Sequence, residues 1–471
     1  MSEDVMIGLE THVQLNTDTK LFCNCPNEEA EEPNSNVCEI CLGHPGTRPR
    51  LNEKVLQKAS KVAVALGCEI NSQIFFSRKT YFYPDMSKNY QITQYEIPVG
   101  EDGEIRISTE DSERDIGIKR LHIEEDPAKI NHAGGSVSES NYTKVDYNRA
   151  GTPLIEIVTK PDFRSPEEAR EYLKRLERML EYLEVYSSGS SFTIKSDANV
   201  SIEGGEKVEV KNITGTSEVE KALSYEISRQ RQVVKREDTV TQQTRSFNPD
   251  TGATKKMREK ETEEDYGYIF DPDLTRQKLD EEFIEDIKSG MPELPGEKLE
   301  RFKSDYGLEH KLTESLITNK KMAEEFEELA EEYSPDLVAS WMTGELKKTL
   351  NYNDLDYTQS DIQKEWLGYI LGLIEADDIS DRNAEEVLRK IVEQPRHPEK
   401  VVEEEDLLKA GDDEVESIVE SVLEENQDAV DDYNSGDEGA INFLVGQVMQ
   451  QSQGKADPKG AREKIMEKLD G

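Results

Sequence analysis

Apolar and polar positions along this chain follow two periods, and their mixture changes once. Up to about residue 290, stretches of period two alternate with helical stretches; beyond it, helical spacing prevails. Ile7, Leu9 and Val13 alternate around Glu10 and His12, which predicts a strand with those two polar residues on one face. Residues 53–67 predict a helix that ends at Gly67. Ser165, Pro166 and Glu168 read as a capping box with proline at the first helical position. Leu173, Leu176, Leu180 and Leu183 then form one apolar face. Ser217 to Glu220 predicts a second cap, with Val219, Leu223 and Ile227 turned inward.

A hairpin is predicted over 192–213. Phe192, Ile194, Ala198, Val200 and Ile202 alternate with Thr193, Lys195, Asp197, Asn199 and Ser201; after Gly204 and Gly205, Val208 and Val210 alternate with Glu209 and Lys211. Directly opposed residues share a face, so pairing Val200 with Val208 sets Asn199 against Glu209 and Asp197 against Lys211. A one-residue slip would bury the charged set. The polar face is either a solvated surface or a wall for a polar substrate.

Residues 235–275 are polar and alternating and end in Phe270-Asp-Pro-Asp273. Pro292, Pro295 and Gly296 read as a linker, after which helices run to about residue 395, with Trp341 and Trp366 expected in their core. A second break is expected at 395–398. Residues 401–440 are strongly acidic, with Lys409 the only base. Helices are expected at 440–449 and after Gly454.

At 471 residues the chain is expected to hold several domains. Its net charge of −43, from 101 acidic and 58 basic residues, opposes a simple basic nucleic-acid groove but leaves room for a local basic patch. The charge fits a globular protein of a salt-rich cytoplasm, because at molar salt the Debye length falls to about 3 Å and self-repulsion is screened. No secretory signal and no run of eighteen apolar residues occurs, so a cytoplasmic protein without membrane contact is expected.

Chemistry gathers near the start. Glu10 and His12 on one strand face could hold a divalent cation, act as an acid–base pair, or form a plain surface pair. Cys23, Cys25, Cys38 and Cys41 form two close pairs separated by twelve residues, the spacing of a closed, structural zinc site. Cys68 is left over and is expected to be a small buried hydrophobe. Over 77–95, Tyr81, Tyr83 and Tyr90 interleave with Arg78, Lys79, Lys88 and Gln91, which suits either stacking plus phosphate contact or a mixed sheet surface. In 118–132, His122, Glu124 and Asp126 share one strand face and Glu125 takes the other. No P-loop, no G-x-G-x-x-G after a strand and no G-x-S-x-G is present.

Several long stretches, in order, resemble one family: IGLETHVQLNTDTKLFC, CEICLGHPG, RKTYFYPDMSKNYQITQY, LHIEEDPAK, DYNRAGTPLIEIV, SDANVSI, VEVKNI and NFLVGQVM. This is the B-subunit family of the tRNA-dependent amidotransferases that act on Asp-tRNA(Asn) and Glu-tRNA(Gln). The resemblance implies an α+β protein. A cradle-like, mostly antiparallel catalytic domain with zinc-binding loops would span 1–293, a helical domain 294–397, and a helical tail domain related to YqeY proteins 398–471. It implies ATP-dependent phosphorylation of the side-chain carboxylate on the tRNA, then amidation by ammonia. The ammonia would come from the amidase, or A-type, partner of such enzymes, and their small C-type partner would support the complex. By the same resemblance, Glu10, His12 and one of Glu124 or Glu125, taken as Glu125, would hold Mg²⁺. Lys79, Lys195 and Asp197 would line the reaction pocket; the residue pattern itself offers Arg78, Tyr81, Tyr83, Lys88, Tyr90, Gln91, Asn199 and Lys211 as substrate contacts. The rival reading is a zinc-stabilised tRNA-binding scaffold with no chemistry of its own, which has no use for the carboxylate–histidine cluster.

Overall fold

The computed structural model describes residues 5–110, 112–132, 142–187, 194–258, 266–435, 439–452 and 455–470; Phe192 and Thr193 of the predicted hairpin, and Gly454, lie outside them. The chain divides into two compact units, Met1–Pro295 and Gly296–Gly471.

The first unit carries strands β1 (Val5–Gln14), β2 (Glu69–Ile70), β3 (Gln73–Ile74), β4 (Ser77–Thr80), β5 (Tyr90–Thr93), β6 (Gly100–Ser108), β7 (Glu113–Glu125) and β8 (Lys129–His132). It continues with β9 (Thr143–Asp146), β10 (Pro153–Thr159), β11 (Ile194–Ile202), β12 (Val208–Thr214), β13 (Gln243–Asn248), β14 (Ala253–Arg258), β15 (Gly267–Phe270) and β16 (Gln277–Lys278). Helices α1 (Glu53–Ala65), α2 (Pro166–Tyr182), α3 (Thr216–Lys235) and α4 (Glu281–Ser289) accompany them. Among the described residues, nine strands form the main sheet in the order β14-β13-β12-β11-β1-β10-β7-β6-β2, and β15-β4-β5 form a smaller one. The main sheet is antiparallel except between β12 and β13.

Period two decides what each face of this sheet carries. Ile7, Leu9 and Val13 of β1, Ile155 and Ile157 of β10, Leu121 and Ile123 of β7, and Ala198 and Val200 of β11 are fully buried and join one apolar core with α1, α2 and α3. The residues between them, Glu10, His12, Glu156, His122, Glu124, Asp197 and Asn199, therefore project from the opposite face. Helices α1, α2 and α3 pack on the apolar side of the sheet, and the opposite face carries these polar groups.

Local signals set the helix ends. Ser165 accepts from the Glu168 amide at the start of α2, as predicted, but the Glu168 carboxylate turns to the Arg164 amide, Ser112 and Arg114 instead of closing the box on Ser165. The Gly67 prediction holds: α1 ends at Ala65 and Gly67 takes φ +66°. The cap predicted at Ser217 is displaced. α3 begins at Thr216 directly after β12, and Gly215, at φ +90°, makes the corner with no side-chain cap. A one-residue joint leaves no room for a Ser217 cap. Cys68 is buried against Gly103, where an added Cβ would lie 2.5 Å from its sulfur; the small residue and the glycine fit each other.

The hairpin pairs Asn199 with Glu209 and Val200 with Val208, but a bulge between Ser196 and Ala198 then shifts the register, so that Ser196 faces Ile213. Asp197 still meets Lys211 through its side chain, at 3.2 Å.

The second unit is helical, from Pro295–Tyr306 to Pro458–Asp470. Among the described residues it holds two separate apolar cores, one built from residues between Phe302 and Val402 and one from residues between Val415 and Ile465. Val401 and Val402 belong to the first. Trp341 and Trp366 are only partly buried and cover its rim, because their side chains are too large to enclose fully among the short helices around them. Among the described residues, no helix is long and apolar enough to cross a membrane.

Candidate active site

Three strand ladders put one row of chemistry across the sheet. His12 of β1 is opposite both Lys195 of β11 and Glu156 of β10, and Glu156 is opposite His122 of β7. The Glu156 carboxylate lies 3.2 Å from His122 Nε2 and 3.5 Å from His12 Nε2. Glu124, one pleat along β7, stands 4.0 Å from His122 Nε2. One donor atom each from His12, Glu124 and Glu156 lie within 4.8 Å of one another. Two carboxylates and an imidazole at that spacing suit a hard divalent ion such as Mg²⁺ or Mn²⁺.

These groups open into a cavity of about 400 Å³, which Glu10, Lys79, Asp197 and Lys211 also line. Its charges act on one another strongly. Burial, then Glu156 and Asp197, raise the Glu10 carboxyl above its ordinary range, with Lys211 pulling the other way. Burial works against a charge on His12. The hydrogen bond and charge of Glu156, with Asp197 and Glu124, outweigh it and raise the imidazole to about 9. Glu156, despite its own burial, is held well below the carboxylate range by His122 and His12. Lys79 sits with its ammonium 4.8 Å from the centre of the Tyr266 ring.

The predicted site residues divide accordingly. Glu10, His12, Glu124, Lys79, Asp197 and Lys211 share this cavity. Asn199 donates to Glu10 at 3.0 Å. Lys195 lines a neighbouring cavity with Gln14, Arg149 and Thr152, and burial lowers its pKa. Of the residues expected at the cation, Glu10 and Glu125 are not in the group of His12, Glu124 and Glu156 found among the described residues; strand alternation turns Glu125 to the other side of β7, where Lys88 binds it at 2.5 Å and the Ile92 amide donates to it at 2.8 Å. Lys88 is thereby engaged with protein. Gln91 is engaged too, donating from Nε2 to Glu124 Oε1 at 2.6 Å and to the Glu125 carbonyl at 2.7 Å, which holds Glu124 in place. Arg78 is tied to Asp271 at 2.8 Å and Asp273 at 2.9 Å, with its guanidinium over Tyr90. Tyr81 packs edge-on against Tyr266, and Tyr83 is exposed.

Sequence reasoning missed Glu156, and it read His122 only as one of a carboxylate–histidine cluster with Glu124 and Asp126 on one strand face. The signal for Glu156 was present, a single carboxylate inside the apolar run Leu154-Ile155-Glu156-Ile157-Val158.

The four cysteines converge as a separate group, each offering a sulfur within 4.8 Å of the others. The Cys38 amide donates to Cys41 Sγ at 3.1 Å, and the Leu42 amide returns to the Cys38 carbonyl at 3.0 Å, which is the tight turn a C-x-x-C pair needs. Hydrogen bonding from Cys23, helped by the Lys20 ammonium, pulls the Cys41 thiol down to about 5. Four sulfurs at this spacing are a donor set for a closed, tetrahedral zinc site. This loop also braces Lys88: Ser87 donates to the Cys41 carbonyl at 2.8 Å, and Gly43 packs against the Lys88 side chain.

Comparison with known proteins agrees with this architecture. A family model described as the GatB/GatE catalytic domain matches residues 5–285, and one described as the GatB domain matches 324–469. The B subunit of the aspartyl/glutamyl-tRNA(Asn/Gln) amidotransferase of Natronomonas pharaonis is 43% identical over 486 residues, covering 99% of this chain and 97% of the relative. The protein of the same name from Methanospirillum hungatei is 43% identical, covering 99% and 98%. That of Carboxydothermus hydrogenoformans is 40% identical over the same shares. The chain belongs to the family of aspartyl/glutamyl-tRNA(Asn/Gln) amidotransferase B subunits.

Proposed function

We propose that this chain performs the ATP-dependent transamidation of Glu-tRNA(Gln), Asp-tRNA(Asn) or both, and that the reaction takes place in the cavity over His12. The observation that carries this reading is the meeting of His12, Glu124 and Glu156 with Glu10 and Lys79 in one cavity. A scaffold would have no reason to bury so many unlike charges together.

A carboxylate is a poor electrophile. Transfer of the γ-phosphoryl group from ATP to the side-chain carboxylate releases ADP and forms an acyl phosphate. Attack by ammonia on the carbonyl carbon then forms the C–N bond and expels phosphate. His12, Glu124 and Glu156 would hold Mg²⁺, which when bound neutralises phosphate charge. Lys79 supplies a fixed positive charge to the transferring group. Glu10, with its raised pKa, is suited to take the proton that the attacking ammonia must lose. Ammonia would come from the amidase (A-type) partner, with the small C-type partner completing a heterotrimer. The cysteine loop would hold Zn²⁺ as a structural fastening. A helical domain from 294 to 397 and a tail from 398 to 471 would help hold the tRNA. The surroundings would be a salt-rich cytoplasm.

The test is reconstitution with the amidase and the small partner, misacylated tRNAs and ATP at molar salt. His12→Ala is expected to abolish amidation while tRNA binding persists. Normal amidation by that variant would reduce the chain to a zinc-stabilised scaffold.

A further inference from the structure

Among the cations that line the cavity, Lys211 is paired with Asp197 and Glu209, and Lys79 lies over the Tyr266 ring. Arg120 is different. It projects from β7 two residues before His122 and lines the cavity together with Glu10, Glu124 and Glu156. Among the described residues it forms no ion pair, and its Nε is buried without a hydrogen-bond partner. Glu101, directly opposite on β6, does not serve it and accepts from Asn71 at 3.2 Å instead.

Gln94 lines the same cavity and is 1% exposed. Its Oε1 accepts from the Ile123 amide at 2.9 Å. That bond fixes which way the amide points, because only the oxygen can accept a backbone N–H. Among the described residues, the buried Nε2 group has no acceptor. A buried donor without a partner is costly, and a ligand that completes it is one way a native structure accounts for it. Two such donors in one cavity, one of them on a cation, call for an anion with several acceptor oxygens.

We propose that Gln94 and Arg120 form an anion subsite that takes the phosphate groups of a nucleoside triphosphate, at the β7 side of the cavity over His12. The inference rests on the reading of that cavity as a site of phosphoryl transfer. Arg120 supplies the charge and two-pronged geometry that phosphate oxygens match, and Gln94 supplies a neutral donor already oriented by β7. Together they answer how a chain without a P-loop holds its nucleotide.

The experiment measures ADP–Mg²⁺ affinity by calorimetry in the reconstituted complex, alongside KM for ATP and for aminoacyl-tRNA. Gln94→Glu keeps the acceptor for the Ile123 amide and replaces the donor with a negative oxygen. Arg120→Gln removes the charge, and Arg120→Lys restores it without the fork. The first two are expected to weaken ADP by about tenfold or more and to raise KM for ATP, with KM for aminoacyl-tRNA little changed; Arg120→Lys should recover part of the loss. Unchanged ADP affinity in folded Gln94→Glu and Arg120→Gln complexes overturns the subsite. So does a loss confined to aminoacyl-tRNA, which would assign the two donors to the acylated end of the tRNA. His12→Ala run in parallel separates the two levels. If it abolishes amidation while Arg120→Gln binds ADP normally, only the subsite fails; if it amidates normally, the underlying reading fails.

Discussion

His12 and Glu156 face each other across the β1–β10 ladder with 3.5 Å between imidazole and carboxylate. Each charge holds the other: Glu156 stays well below its ordinary range, and His12 is raised to about 9. This pairing gives the chain, stripped of divalent ions, a definite pH signature. The contribution of Glu156 is present above the unfolded carboxylate pKa of about 4.3 and is lost as pH falls towards its lower folded value. The contribution of His12 is complete below about 6.5, the unfolded histidine pKa, and is lost as pH rises through 9. Both act together between those two unfolded values. Denaturant midpoints of EDTA-treated parent and His12→Gln chains at molar salt should therefore differ most near pH 6 and converge towards pH 9. A difference that grows with pH would contradict the pairing.

The two neighbouring glutamates of β7 should behave oppositely towards Mn²⁺. Glu124 faces His12 and Glu156, whereas Glu125 faces Lys88. Glu124→Gln and Glu156→Gln should each weaken Mn²⁺ binding by at least about tenfold, since each removes a donor to the ion. Glu125→Gln should leave the Mn²⁺ affinity close to that of the parent. Calorimetric titration reads all three, and equal losses in all three would refute the assignment of faces.

Lys88 and Glu125 form a largely buried pair, with side chains 13% and 7% exposed. Removing one partner leaves a charge without compensation. Lys88→Met is expected to cost about 3–5 kcal/mol. Glu125→Gln keeps an acceptor for the Ile92 amide, so the double variant should regain much of that loss. Urea unfolding of the four proteins of the cycle, in molar salt, gives the coupling directly.

The cysteine loop should bind one zinc per chain and release it to a chelator. Cys38→Ser should lower the zinc content and expose the loop around residues 22–45 to protease. Because the Cys41 carbonyl accepts from Ser87, next to Lys88, and Gly43 packs against Lys88, zinc removal should also destabilise the fold around Glu125. It should leave the His12 cluster with its Mn²⁺ affinity.

A net charge of −43 predicts a strong dependence on salt. Thermal unfolding should shift upward as KCl rises from 0.1 to several molar, as screening relieves self-repulsion. A melting temperature that does not change with salt would show that this charge is not what limits stability.

Some of this molecule follows from residue order alone. Alternation along 7–13 and 194–202 told which side chains share a face, since a strand permits only two directions. The cysteine spacing identified its own cluster, because two close pairs need only a loop to meet. Ser165 identified the start of α2 because its cap is local. Tertiary structure decided the rest. Glu156 and His122 became partners of His12 only through the β1–β10–β7 ladders, which join positions 12, 156 and 122; no local pattern reveals which strands will pair. The same folding drew Glu125, Lys88 and Arg78 into pairs within the protein and left Arg120 Nε and Gln94 Nε2 buried without a partner among the described residues. Which polar groups satisfy one another is a matter of distances across the folded chain, and those distances exist only once the sheet has closed.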